Sequence, residues 1–173
     1  MKIAITGTHK VGKTTLAEKL HENFPDYEYY PEPYFELEET GYLFPEIPTA
    51  DDYLAQLEYS IKQISRSGDN AIFDRCPVDL FAYIQATNES LNLEPTYRKV
   101  QNIIQELDLL IFVPIETPDI IACPESELPE LRSQVNDILC DLICNFDIET
   151  IEIKGNLRER MKQIQHKIQH IKM

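Results

Sequence analysis

The chain has 173 residues, 43% of them hydrophobic and 27% charged, which suits one core-bearing domain over residues 1–173 and excludes a fibre or a disordered tail. Thirty Asp and Glu against sixteen Lys and Arg leave a net charge of -14, a field that repels phosphate backbones and anionic lipid, so nucleic acid is not expected as a general partner. The longest apolar runs, such as residues 107–113 with Asp108 inside, fall far short of the roughly 20 residues of a membrane span, so no membrane segment is expected.

At the start, residues 3–6 form a short strand-like run that ends at Gly7, too brief for the apolar core of a signal peptide, and a cytoplasmic protein is expected. A glycine loop follows, then a helix over residues 13–23 with Leu16 and Leu20 four apart. Residues 27–30 are aromatic and stop against Pro31 and Pro33, which marks a second strand. Residues 31–48 carry four prolines and no stable period, so a flap or a short broken helix is expected there. Thr49 with Asp52 three residues on reads as a helix cap, and Leu54, Leu57, Ile61 and Ile64 follow at helical spacing up to Gly68.

Residues 71–74 then read as a buried strand, and Pro77 opens a helix with Leu80, Phe81 and Ile84 facing inward. Asp79, in that first turn, is read as complementing the helix dipole. Pro95 opens a further helix, residues 109–113 form a continuous apolar strand stopped by Pro114, and Leu131 to Ile143 mark one face of another helix. Residues 148–153 supply a last strand, and Leu157, Met161, Ile164, Ile168 and Ile171 a last helix. Five strands alternating with helices imply right-handed crossovers and a doubly wound α/β domain, its parallel sheet covered on both faces. The four cysteines fit a reducing compartment, and Cys140 and Cys144, four apart on a helix with no third ligand nearby, are read as core packing rather than a zinc site.

The chemistry concentrates in Gly7-Thr8-His9-Lys10-Val11-Gly12-Lys13-Thr14, which fits GxxxxGKT between the first strand and the first helix. Glycine is needed at Gly7 and Gly12 because the backbone must turn sharply and present successive N–H groups to phosphate oxygens. Lys13 sets a compact positive charge on the phosphates, the helix start adds its partial charge, and the Thr14 hydroxyl suits Mg2+; Thr15 extends the loop. A nucleoside triphosphate is therefore the expected ligand, with ATP and Mg2+ as cofactors. The chain lacks NKxD for guanine and LSGGQ for a transporter ATPase. Its third strand ends in Asp74-Arg75 rather than paired acids, which weighs against switches, transporters and motors.

From chemistry alone, Asp74 at the carboxyl end of a strand beside the loop can hold Mg2+, and Arg75 can stabilise charge on a transferring phosphoryl group or clamp an anionic acceptor. Asp74-Arg75 also resembles the DR motif of nucleoside and nucleotide kinases. The phosphate loop, Pro31-Glu32, and Asp74-Arg75 with Pro77, Asp79, Ala82 and Tyr83 together look like the small AAA_28 or NadR-like ATP-binding proteins, over nearly the whole chain. That resemblance implies a five-stranded sheet of kinase-like strand order, ATP with Mg2+, and phosphoryl transfer to an unidentified small acceptor. Glu32 resembles the glutamate that accepts the hydroxyl proton in deoxynucleoside kinases, among other glutamates that form a solvated run. Tyr34, Phe35, Tyr53 and Tyr59 are read as packing residues, with a pocket for an aromatic base as the alternative.

One departure stands out. The segment after the fourth strand, residues 114–130, holds Glu116, Asp119, Glu125, Glu127 and Glu130 and no Lys or Arg, where kinases close an Arg-rich lid. Arg132 is the first cation beyond it and is expected to reach the phosphates in a catalytic or sensing role. A kinase with Lys13, Glu32, Arg75 and Arg132 as its catalytic set is the main expectation. A regulatory nucleotide-binding module or slow ATPase is the alternative, and a structural protein with a degenerate loop the last.

Overall fold

The computed structural model describes residues 1–88 and 92–171. Five parallel strands, β1 (Lys2–Thr6), β2 (Glu28–Tyr30), β3 (Ala71–Asp74), β4 (Leu109–Phe112) and β5 (Thr150–Glu152), form one sheet in the order β2-β3-β1-β4-β5. The three inner strands are wholly buried apart from Lys2, which explains their unbroken apolar runs. The edge strands β2 and β5 have three residues each and are partly exposed, shorter than the runs 27–30 and 148–153 that the sequence suggests.

Strand alternation divides the core. Ile3, Ile5, Ile72, Leu109 and Ile111 pack under helices α1 (Lys13–Asn23) and α7 (Leu157–Ile171) through Leu16, Leu20, Ile164 and Ile168. Ala4, Phe73, Leu110 and Phe112 point to the other face, against α3 (Ala50–Arg66), α4 (Pro77–Thr87), α5 (Glu94–Ile103) and α6 (Pro129–Asn145). Each such fully buried Leu, Ile or Phe contributes about 1.5–3 kcal/mol. Residues 31–48 resolve into a short helix, α2 (Pro33–Glu39), followed by an irregular stretch, in keeping with their prolines.

Three sequence expectations are corrected. Of the run at helical spacing on α3, Leu57 and Ile64 are buried and Ile61 packs against the core, while Leu54 is 37% exposed; Asp52, Tyr53, Gln56 and Ser60 complete the buried face. Polar residues in that face disguised the true stripe. Cys140 and Cys144 are exposed on α6 rather than in the core. Asp79 is completely buried: its carboxylate accepts the Cys76 backbone N–H at 3.0 Å and the Thr6 hydroxyl at 3.2 Å, so it caps α4 and anchors β1 rather than merely tuning a dipole.

Because all strands run parallel, their carboxyl ends share one edge; the chain leaving β1 enters α1 on one face, whereas the chains leaving its neighbours β3 and β4 enter α4 and α6 on the other. The crevice at the end of β1 is the place such a sheet offers a ligand. No described helix is long and apolar enough to cross a membrane.

Candidate active site

The loop of residues 7–12 leaves the end of β1. A Cβ at Gly7 would stand 2.5 Å from the Val113 carbonyl oxygen, so only glycine lets β1 and the end of β4 close on each other here. Gly12 has φ 86° and starts α1 with no side-chain cap, which leaves the first N–H groups of α1 free for an anion. Lys13 folds back across the loop and donates from Nζ to the Thr8 carbonyl at 2.8 Å. Burial, reinforced by Arg75, lowers the Lys13 pKa.

Two buried arginines hold this loop from behind. Arg132 of α6 donates from Nε to the His9 carbonyl at 3.0 Å and from Nη2 to the Lys10 carbonyl at 2.9 Å, while Nη1 and Nη2 both donate to the Asp119 carboxylate. Arg160 of α7 donates from Nη1 to the Val11 carbonyl at 2.7 Å and from Nη2 to Glu116 at 2.8 Å; Glu116 also accepts the Gly155 N–H at 3.0 Å. In a trans peptide the C=O and the following N–H point opposite ways. Fixing the carbonyls of His9, Lys10 and Val11 outward therefore turns the N–H groups of Lys10, Val11 and Gly12 away from both guanidinium groups. Arg132 thus lies behind the loop with all three nitrogens engaged, not in front of it as its place after the acidic segment had led us to expect.

The His9 side chain ties the loop to the acidic segment. Its Nε2 is 2.6 Å from the Glu127 carbonyl, which can only accept, so Nε2 carries the proton and the unprotonated Nδ1 accepts from the Tyr83 hydroxyl at 2.7 Å. That same hydroxyl accepts the His9 backbone N–H at 2.7 Å and lies 3.2 Å from the Thr8 hydroxyl. Burial, helped by Lys13, Arg75 and Arg132 and opposed by the Glu127 bond, lowers the His9 pKa to about 4. Lys10 pairs with the Glu127 carboxylate at 2.9 Å.

Beside the loop, β3 delivers Asp74 and Arg75, and the start of α2 delivers Glu32. Arg75 sits at φ 83°, a left-handed conformation that costs a non-glycine residue about 1–3 kcal/mol and turns its side chain over the Tyr83 ring, 5.3 Å from the centroid. Its Nε lies 3.5 Å from Glu32 and 3.4 Å from Asp79, and these two carboxylates keep it firmly charged against burial. The Thr14 hydroxyl donates to Glu32 at 3.4 Å. Burial alone would raise the Glu32 pKa, but Arg75, Lys13 and the Thr14 bond hold it below the usual range. Asp74 behaves oppositely: burial and the Glu32 charge push it up to about 6, and its Oδ1 is buried with no hydrogen-bond partner among the described residues.

Glu32 and Arg75 also face a cavity of about 720 Å³, which Tyr34, Tyr53, Gln56 and Tyr83 line as well. Tyr53 stacks on Tyr83 with centroids 4.7 Å apart, and Tyr34 on Phe44 at 4.3 Å. Tyr34 and Tyr53 are therefore cavity walls, whereas Phe35 is 51% exposed and Tyr59 turns to a separate hollow, its hydroxyl on Glu36 at 3.1 Å. A smaller hollow of about 160 Å³ lies on the far side of the loop, between Gly12, Thr15, Ile121 and Asn156.

Sequence reasoning passed over Tyr83 as a hydrogen-bonding hub, Gln56 and Arg160. Arg160 stands beside Met161 on the apolar stripe of α7, and Gln56 beside Leu57 on that of α3. A polar residue inside an otherwise apolar stripe was the available signal.

No curated protein matches this sequence. Among solved structures, deoxyadenosine kinase from M. mycoides with bound dCTP is similar over 98% of this chain and 100% of its own, at 21% identity and a TM-score of 0.70. A NadR protein in complex with NR is similar over 98% of this chain but 50% of its own, at 20% identity and a TM-score of 0.72. Thymidylate kinase from Candida albicans aligns over 98% and 91%, at 16% identity and a TM-score of 0.69. The fold is that of the P-loop kinases, as the resemblance implies, with the strand order β2-β3-β1-β4-β5. The AAA_28 family model, an AAA domain, matches residues 2–160, and the chain belongs to that family.

Proposed function

We propose that the protein is a Mg2+-dependent, ATP-using phosphotransferase of the nucleoside or nucleotide kinase type, acting on a small acceptor. The observation that carries this reading is the position of Glu32, which accepts a hydrogen bond from Thr14 of the phosphate loop on one side and faces the 720 Å³ cavity on the other. A donor phosphate on the loop and an acceptor in the cavity would meet at that carboxylate. The kinase fold of the similar structures agrees with it.

In this reading the triphosphate lies on the N–H groups of the loop, from Gly7 and Thr8 through His9, Lys10, Val11 and Gly12, with Lys13, Thr14 and Thr15 at the start of α1. Its base lies towards the hollow beside Asn156. Thr14 and Asp74 would hold Mg2+ together with the phosphates; the orphaned Oδ1 of Asp74 suits a hard cation that takes one or two protein oxygens. The metal would neutralise phosphate charge. Lys13 exchanges the Thr8 carbonyl for phosphate oxygen. Arg75 balances charge on the group in transfer. Glu32, too weak a base to take the proton early, mainly orients the acceptor hydroxyl, and positioning with electrostatics supplies most of the rate. Arg132 acts from behind the loop by fixing its carbonyls.

A second reading, a regulatory nucleotide-binding module or slow ATPase, is favoured by one feature: among the described residues, 114–130 offer no cation, and Arg132 and Arg160 are both committed to the loop. ADP release measured with and without an acceptor panel separates the two. Acceptor-dependent turnover that disappears in Lys13→Ala supports the phosphotransferase; turnover indifferent to every acceptor supports the second reading.

A further inference from the structure

We infer that the acceptor is a nucleoside carrying no phosphate of its own, uncharged or cationic, offered through a hydroxyl group, and that nucleoside monophosphates are rejected. This rests on the phosphotransferase reading and narrows it.

The argument is one of charge. Two cations line the 720 Å³ cavity, Lys10 and Arg75, and each already faces a carboxylate: Lys10 meets Glu127 at 2.9 Å, and Arg75 lies within 3.5 Å of both Glu32 and the buried Asp79. Glu46 adds a further acid to the wall. With Asp79 counted behind Arg75, four carboxylates surround two cations. A monophosphate carries about two negative charges near neutral pH. Bound here, it would lose water and meet net negative charge, with the Lys10 ammonium already paired to Glu127 and the Arg75 guanidinium already set between two carboxylates, a desolvation cost with little return. Lys62 and Arg66 make no ion pair among the described residues, but they line the separate hollow beside Tyr59.

What the cavity offers instead suits a flat, polar, non-anionic molecule. Tyr53 and Tyr83 form a stacked aromatic wall, with Tyr34 lining the cavity as well. The Gln56 amide, 2% exposed, presents a donor and an acceptor for the edge of a heterocycle, its one bond among the described residues a long 3.4 Å donation to the Asp52 carbonyl. An aromatic wall in an acidic chamber also favours a positively charged ring over a neutral one. In the transfer, the acceptor hydroxyl oxygen bonds to the γ-phosphorus of ATP as the bond from that phosphorus to the bridging oxygen breaks. The products are the phosphorylated nucleoside and ADP, and the hydroxyl proton leaves to Glu32 or to solvent.

The experiment incubates the full chain with Mg2+ and ATP and a panel of nucleosides, each beside its own monophosphate, and reads products by mass spectrometry. Melting shifts are read in parallel with a non-hydrolysable ATP analogue. The expected result is phosphorylation of at least one nucleoside, with its monophosphate at least tenfold poorer in kcat/KM. Glu46→Lys, a change on an exposed loop, should raise the relative use of the monophosphate several-fold. A monophosphate used as well as or better than its nucleoside overturns this assignment and leaves the phosphotransferase standing. If no acceptor of either kind is phosphorylated or adds to the melting shift while the ATP analogue does stabilise the protein, the phosphotransferase reading fails, and this assignment with it.

Discussion

Arg132 and Arg160 grip neighbouring carbonyls of the phosphate loop from its outer side, Arg132 at Lys10 and Arg160 at Val11, 2.9 and 2.7 Å away. They come from different helices, so α6 and α7 both set the loop that binds the donor. Replacing Arg160 by Lys keeps the charge but loses the fork that serves Val11 and Glu116 together. Denaturant unfolding of this variant should show a loss of about 1.5–3 kcal/mol, the worth of hydrogen bonds to a charged group. Calorimetry should show weaker ATP binding. Unchanged affinity would mean that the N–H cradle holds its shape without the arginine.

Lys13 carries the opposite expectation. Its ammonium is buried against one carbonyl, with Arg75 nearby, so burial works against it in the absence of nucleotide. Lys13→Met should unfold at the same or a higher temperature than the parent without ligand, because the charge no longer has to be desolvated. The melting shift produced by Mg2+ and ATP should disappear in the same variant. A nucleotide-induced shift that persists at full size would place the triphosphate elsewhere.

Tyr83→Phe isolates a hydroxyl. The ring would keep its stack on Tyr53 and its place under Arg75, while the bonds to Thr8 and to the backbone N–H and Nδ1 of His9 vanish. Stability should fall by about 1–3 kcal/mol for the donor and acceptors left unpaired. KM for ATP should rise more than KM for the acceptor, since the lost bonds all lead to the phosphate loop. Equal changes in both would mean that the hydroxyl only supports the core.

The pH dependence follows from His9. Its folded pKa, about 4, lies below the ordinary 6.5, so the unfolded chain binds more protons between those values and stability rises with pH across that window. The contribution is complete above the unfolded value and is lost as pH falls towards 4. The groups around the ring are the cations Lys13, Arg75 and Arg132 and the Glu127 carbonyl. Titration followed by NMR should find the His9 ring neutral, protonated on Nε2, from pH 8 down to about 5. A midpoint near 6.5 would show that the ring is open to water in solution.

Much of this was legible beforehand because it depends on local pattern. The helix over Lys13–Asn23 and the start of α4 at Pro77 follow from spacing and a proline, and the loop from eight consecutive residues. What escaped depends on contacts between distant segments. The Arg132 guanidinium meets His9 and Lys10 more than a hundred residues away, and no local pattern distinguishes a cation aimed at a ligand from one aimed at a carbonyl. Asp79 looked like a first-turn acid and proved to be a buried counter-ion, because its role is fixed by Thr6 and Arg75. The cavity is assembled from α2, α3, α4, the loop and the acidic segment, so its walls could be named only once those were packed.

The most direct test of the account is the rate of ATP-dependent acceptor phosphorylation by Glu32→Gln beside the parent, with ATP affinity measured on both. Glutamine keeps the size of the side chain and a carbonyl for Thr14 but removes the charge that faces Arg75 and the acceptor. The account predicts that kcat falls about a hundredfold, the cost of a misplaced acceptor, while ATP binds within a few-fold of the parent. Full turnover in Glu32→Gln would contradict the placement of phosphoryl transfer at this carboxylate.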